Sequence, residues 1–244
     1  MTKNITIPSI LLLVTLVSCG PAEPVLTNDQ LYDNAVKDAV FAEEDEIMHL
    51  VEIVNDDENV LWDNGRVLMC TFHHYPSSYP EGETITTDWG EGWLTSVKEF
   101  SNWYKKEKGK FKDYLMRTKQ LMGVDPNKAH THISAFYVNP SDMFRPAYMP
   151  DITKQVTELS LPVGADPDYV TWFKENTYYS YFTANPKLPW TRLVYTYDWA
   201  PHTDDYGLSE FILKNNSEIT ITKTLEVEEF YTYLESPEIV NPSL

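Results

Sequence analysis

Apolar positions at helical and strand spacing divide the chain into short, mixed elements. Residues 28–54 carry a helical stripe of Leu31, Ala35 and Ala39 beside Tyr32, Val36 and Val40, continued by Ile47, Leu50, Val51 and Val54. Thr27 followed by Gln30 has the spacing of a capping box. The acidic cluster Glu43 to Glu46 lies on a solvated face or marks a break between two helices. A hairpin is predicted next. Residues 60–62 and 66–73 flank Asp63-Asn64-Gly65, and Asn-Gly favours the tight turn that joins antiparallel strands. A loop over 75–83 and a strand over 83–89 follow. Ser96 and Glu99 form a second capping box, opening a helix to about residue 106. Further helices are expected over 111–122, 166–179 and 226–234.

Strand patterns occupy 130–138, 156–161 and 192–199. Residues 208–214 and 218–224 flank Asn215-Asn216-Ser217 and read as a second hairpin. Strands and helices do not alternate regularly, and both hairpin signals favour antiparallel pairing. The expected fold is therefore α+β, a single domain over residues 28–244 with a mostly antiparallel sheet and several packed helices.

Composition narrows the function classes. Seven Trp, 16 Tyr and 10 Phe make general disorder untenable. A formal net charge of −18 argues against nucleic-acid binding, which needs basic patches for the phosphates. The same charge implies repulsion from anionic lipid headgroups.

At the N-terminus, Lys3 precedes an apolar run from Ile5 to Val17 that is too short to span a bilayer and ends in Leu16-Val17-Ser18-Cys19. This resembles the signal peptide and lipobox of bacterial lipoproteins. The resemblance implies cleavage after residue 18, diacylation of Cys19 and a tether over residues 19–27. The domain would then stand outside the cytoplasm, lipid-anchored to a membrane of the cell envelope. More than one acyl chain gives stable anchoring where one gives only marginal binding. Cys70 would have no disulfide partner in such a chain. Strand alternation places it with Leu68 and Phe72, as a small buried hydrophobe.

Several residues are candidates for chemistry. His130 and His132 are spaced to share one strand face, and two imidazoles so placed can bind Zn²⁺ or another divalent metal. His73 or His74 would supply a third ligand, with Asp204 and Asp205 near His202 as acidic candidates. No Gly-x-Ser-x-Gly elbow or phosphate-binding glycine loop occurs. Glu91 or Asp198 with Glu210 would make a glycosidase-type carboxyl pair, subject to their separation. Two proline-rich loops combine arginine with aromatic residues, Phe144 with Arg145 and Trp190 with Arg192, and form candidate binding surfaces. The expected function is a non-catalytic envelope protein binding a protein or glycan partner, without a cofactor. The alternative is a metal-dependent hydrolase using His130 and His132.

Overall fold

A computed structural model describes residues 25–241. The signal-like segment, the lipobox and Cys19 lie outside the described residues, and so does most of the tether. Among the described residues no helix is long and apolar enough to cross a membrane.

The chain folds as a single α+β domain around one mostly antiparallel sheet. Its strands are β1 (Trp62–Asp63), β2 (Arg66–His73), β3 (Thr84–Thr86), β4 (Gly92–Ser96), β5 (His132–Val138), β6 (Met143–Phe144), β9 (Phe211–Leu213) and β10 (Glu218–Glu226). The spatial order is β3-β10-β5-β2-β4-β9-β6, with β1 paired to β2. A separate ribbon joins β7 (Tyr195–Tyr197) to β8 (Tyr206–Ser209).

Strand β2 is central and its sequence shows why. Val67 and Met69 are buried on one face, Leu68 and Cys70 on the other. A strand covered on both sides reads as a continuous apolar run, and β2 does. The face with Leu68 and Cys70 packs on α2 (Val97–Glu107), α3 (Tyr114–Leu121) and α5 (Val227–Tyr233) through Phe100, Tyr104, Leu121, Phe230 and Tyr231. The opposite face is covered by the segment carrying Val51, Ile53 and Val60.

Local signals set most helix ends. Thr27 closes its capping box on α1 (Asn28–Asp38). Ser96 accepts from the amides of Lys98 and Glu99 at the start of α2, Asp113 from Met116 at α3, and Asp166 from Asp168 and Tyr169 at α4 (Pro167–Tyr178). A short α6 (Pro237–Val240) closes the described chain. The Asn64-Gly65 turn is present, with both residues at positive φ and Asp63 opposite Arg66.

Three expectations are corrected. The helix predicted over 28–54 ends at Asp38, and the acidic cluster forms a 3-10 turn at Glu44–Glu46. Beyond it the chain is extended: Leu50 N–H donates to Gln155 O at 2.8 Å and Ile53 N–H to Ile152 O at 2.9 Å. Non-local partners thus outbid the helical stripe. The second hairpin does not form either. The turn is there, with Asn216 at φ 63°, but β9 pairs with β4 and β6 while β10 pairs with β3 and β5. Finally, 156–161 is not a strand, and 192–199 shortens to β7 because Arg192 and Val194 adopt positive φ.

Candidate functional site

A cleft of about 420 Å³ opens beside β4. Its floor comes from β4 and the β8–β9 junction, and its walls from residues 122–130 and 188–190. Strand β4 supplies Trp93, and the residues before it supply Trp89 and Glu91. Trp89, Glu91 and Trp93 all line the cleft with only Gly90 and Gly92 between them; Trp93 lies on β4, while Trp89 and Glu91 precede it and Gly90 turns the chain at positive φ. Thr95 of this strand pairs with Cys70 of β2, so Trp93 falls on the helix-bearing face of the sheet.

The aromatic surface is presented to solvent. Trp89 is 45% exposed, Trp93 38% and Tyr179, at the rim, 53%. Behind them the rings are fixed. Tyr79 meets Trp89 edge-on at 5.3 Å, and Trp93 meets the buried Trp190 edge-on at 6.4 Å. Glu91 accepts from the Trp172 indole N–H at 2.7 Å.

Glu210 lies on the floor. Its backbone N–H donates to Val194 O at 2.7 Å, and its half-buried side chain enters the cleft. Among the described residues nothing bonds its carboxyl, and burial alone pushes that carboxyl up to about 8. Burial thus favours its protonated form at neutral pH, in a residue that lines the cleft.

The other buried carboxyls are already engaged. Asp198 is bound by both terminal nitrogens of Arg117, at 2.9 and 2.6 Å, which removes it from the carboxyl pair the sequence suggested. Glu99 is pushed up to about 7, first by burial, but accepts from Ser209 N–H and from Ser209 Oγ at 2.9 Å. It borders a second, polar cavity of about 550 Å³ with Glu52, Asp56, Asp57 and Glu58, where Trp103 is the sole aromatic lining residue.

The histidines separate. His132 pairs across the sheet with His73, and its Nδ1 bonds Thr131 Oγ1 at 2.9 Å. His130 precedes β5, lines the cleft and faces His74, with the two Nδ1 atoms 3.3 Å apart. His73 is buried. Its Nδ1 accepts from Tyr75 N–H at 3.0 Å, leaving Nε2–H to donate to Ser134 Oγ at 2.8 Å. Burial pushes His73 and His130 down to about 4. Among the described residues no group of three or more His, Cys, Asp or Glu side chains converges as metal ligands do. A strand start between His130 and His132 sends the two imidazoles to different neighbours, His130 to His74 and His132 to Thr131. His202, Asp204 and Asp205 lie in the turn between β7 and β8.

The two arginine loops are also corrected as an exposed binding patch. Arg145 is 1% exposed, and its guanidinium donates to the carbonyls of Val51, Asp151, Ile152 and Lys154. Arg192 donates to Val40 O at 2.6 Å and to the Tyr148 hydroxyl at 2.8 Å. Trp190 is buried with its indole N–H on Pro146 O, and half-buried Phe144 packs edge-on against Trp172. The bonded guanidinium donors are spent on groups inside the fold, and the unbonded Arg145 Nη1 and Arg192 Nε are buried, so these loops present no exposed arginine patch. Trp190 still lends one surface to the cleft wall.

The exposed pair Trp89 and Trp93 escaped the sequence reading, although their two-residue alternation about Glu91 was visible there. No protein-family model matches the chain, and no characterised protein or solved structure matches it either.

Proposed function

We propose that this chain is a lipid-anchored protein of the bacterial cell envelope whose aromatic cleft binds glycan chains. The observation that carries the binding reading is the placement of solvent-facing Trp89 and Trp93 around Glu91, above the proton-bearing Glu210. A sugar ring has an apolar C–H face and a polar hydroxyl edge. Indole rings take the face, and carboxyl and carboxylate groups take the edge. The cleft volume of about 420 Å³ falls within the range of small-ligand sites, roughly 300–1,000 Å³. The Leu16-Val17-Ser18-Cys19 lipobox supports the anchor and the envelope location.

The test is tryptophan fluorescence of the full chain in detergent micelles, titrated with oligosaccharides released from envelope glycans. Saturable change is expected, weakened about tenfold or more by Trp89→Ala and by Trp93→Ala, on the order of an anchoring aromatic contact. Saturation by choline but by no sugar would instead make the rings a cage for a quaternary ammonium ion. Mass spectrometry of the membrane-extracted protein tests the anchor: an N-terminus at acylated Cys19 is expected, and an intact residue 1 defeats it.

A further inference from the structure

We propose, building on the glycan-binding reading, that the cleft hydrolyses a glycosidic bond, with Glu210 as the general acid and Glu91 as the base that activates water. Acid hydrolysis of an acetal needs one group that holds a proton against the leaving oxygen and one that takes a proton from water. The cleft has one of each kind. Among the described residues the Glu210 carboxyl has no hydrogen-bond partner, and the half-buried residue lines the cleft. Glu91 is exposed at the rim and oriented by the Trp172 indole N–H at 2.7 Å. Asp198 and Glu99, the other buried carboxyls near the sheet, are bound to Arg117 and Ser209. The remaining titratable lining groups other than tyrosines, Asp125, Lys128 and His130, belong to the opposite wall.

The sheet sets the spacing. Trp93 pairs with Ile212 and Leu94 with Phe211, and one further step of this register places Glu210 opposite Thr95. Glu91 is four strand positions from Thr95, roughly 13 Å at 3.3 Å per residue. That offset sets the two glutamates apart along the strand and not side by side. That arrangement suits direct displacement by water better than the closer pair that forms a covalent intermediate.

The step balances without any further reactant than water. The Glu210 carboxylic acid gives its proton to the glycosidic oxygen as the bond from that oxygen to the anomeric carbon breaks, the electron pair leaving with the oxygen. Water adds to the anomeric carbon and loses a proton to the Glu91 carboxylate. Glu91 then releases that proton to solvent, and Glu210 regains one.

The experiment uses the full chain in detergent with two probes: oligosaccharides shown to bind by fluorescence, read by release of reducing ends, and aryl glycosides of the same sugars, read by release of the phenol. Wild type is expected to cleave both. Glu210→Gln should retain binding and lose about 10²–10⁴-fold on the oligosaccharides, the usual worth of a positioned proton donor. It should lose far less on aryl glycosides with acidic phenols, which leave without protonation. A merely structural Glu210 would depress both substrates equally. Glu91→Ala should be inactive on both and recover with added azide, yielding a glycosyl azide of inverted configuration. Binding without reducing-end release by wild type overturns the hydrolysis and leaves the glycan-binding reading standing. Absence of binding overturns that reading itself. Wild-type oligosaccharide turnover in Glu210→Gln removes Glu210 as the acid.

Discussion

Arg117 grips Asp198 through two parallel hydrogen bonds, Nη1 to Oδ1 at 2.9 Å and Nη2 to Oδ2 at 2.6 Å, with both side chains buried. The guanidinium also lies 4.8 Å from the centre of the Trp103 ring, tying α3 to α2 and to the chain beyond β7. Desolvation pushes the Asp198 carboxyl up despite the bonds and charge of Arg117, so the pair is expensive to bury. Removing one partner leaves the other charge stranded. Arg117→Leu is expected to destabilise by about 3–5 kcal/mol in urea unfolding, and Asp198→Leu similarly. The double leucine variant should recover most of that loss. Additive losses would show no coupling between the two side chains, so that each contributes through its own packing and not through the pair.

Gly207 permits a close approach between the small ribbon and α3. A β-carbon there would overlap Thr196 Oγ1 and Leu121 O. Those atoms form the junction between α3 and the small ribbon: Thr196 Oγ1 donates to Leu121 O at 2.6 Å and accepts from Leu208 N–H at 2.8 Å. Gly207→Ala must push this junction apart, at a cost of about 1–3 kcal/mol by analogy with overpacked cores. Met122 and Thr196 also line the cleft. Gly207→Ala should therefore weaken glycan binding as well as lower Tm, and a variant with wild-type Tm would show that the junction yields freely.

Local chemistry was legible in the sequence and long-range pairing was not. Asn64-Gly65 dictated its turn, and Ser96 and Asp166 dictated where helices begin, because each acts within three or four residues. Asn215 to Ser217 made an equally local turn, yet the strands either side chose distant partners, which no local signal encodes. The candidate site divides the same way. Glu91 and Glu210 were recognisable as carboxyls, and the Trp89-x-Glu91-x-Trp93 spacing was visible in the sequence. That Glu210 shares their cleft depends on β9 pairing with β4, and that Asp198 does not depends on Arg117, 81 residues away. The His-x-His pattern misled because β5 begins only at His132, so His130 is not held by strand alternation.

Cys70 tests the packing of the central strand. It is fully buried opposite Thr95 and Ala135, and burial pushes its thiol far above the ordinary range. A buried thiol kept protonated is inert. In a Cys19→Ser chain, a disulfide reagent such as DTNB should label no thiol under native conditions and one in denaturant. Rapid native labelling would mean that β2 opens locally.

The pH dependence of stability follows from four groups pulling in opposite directions. Glu210 at about 8 and Glu99 at about 7 keep protons in the fold that an unfolded carboxyl loses above 4.5. Each makes stability fall as pH rises from 4.5 to its folded value. His73 and His130, both near 4, refuse protons in the fold that an unfolded histidine takes up below 6.5. Each makes stability fall as pH drops from 6.5 toward 4. Between 4.5 and 6.5 the two effects oppose one another, and above 6.5 only the glutamates act. Stability measured by urea unfolding is therefore expected to decline from pH 6.5 to 8, at no more than about 1.4 kcal/mol per pH unit for each glutamate still titrating. Glu210→Gln carries no charge to bury. It should flatten the limb between pH 7 and 8 and raise stability at pH 8, in the same variant that loses oligosaccharide cleavage. A gain in stability coupled to a loss of activity is what a group held at an energetic cost for its chemistry produces. If the Glu210→Gln curve runs parallel to wild type across that range, Glu210 is already ionised at neutral pH, and its role as a proton donor fails with it.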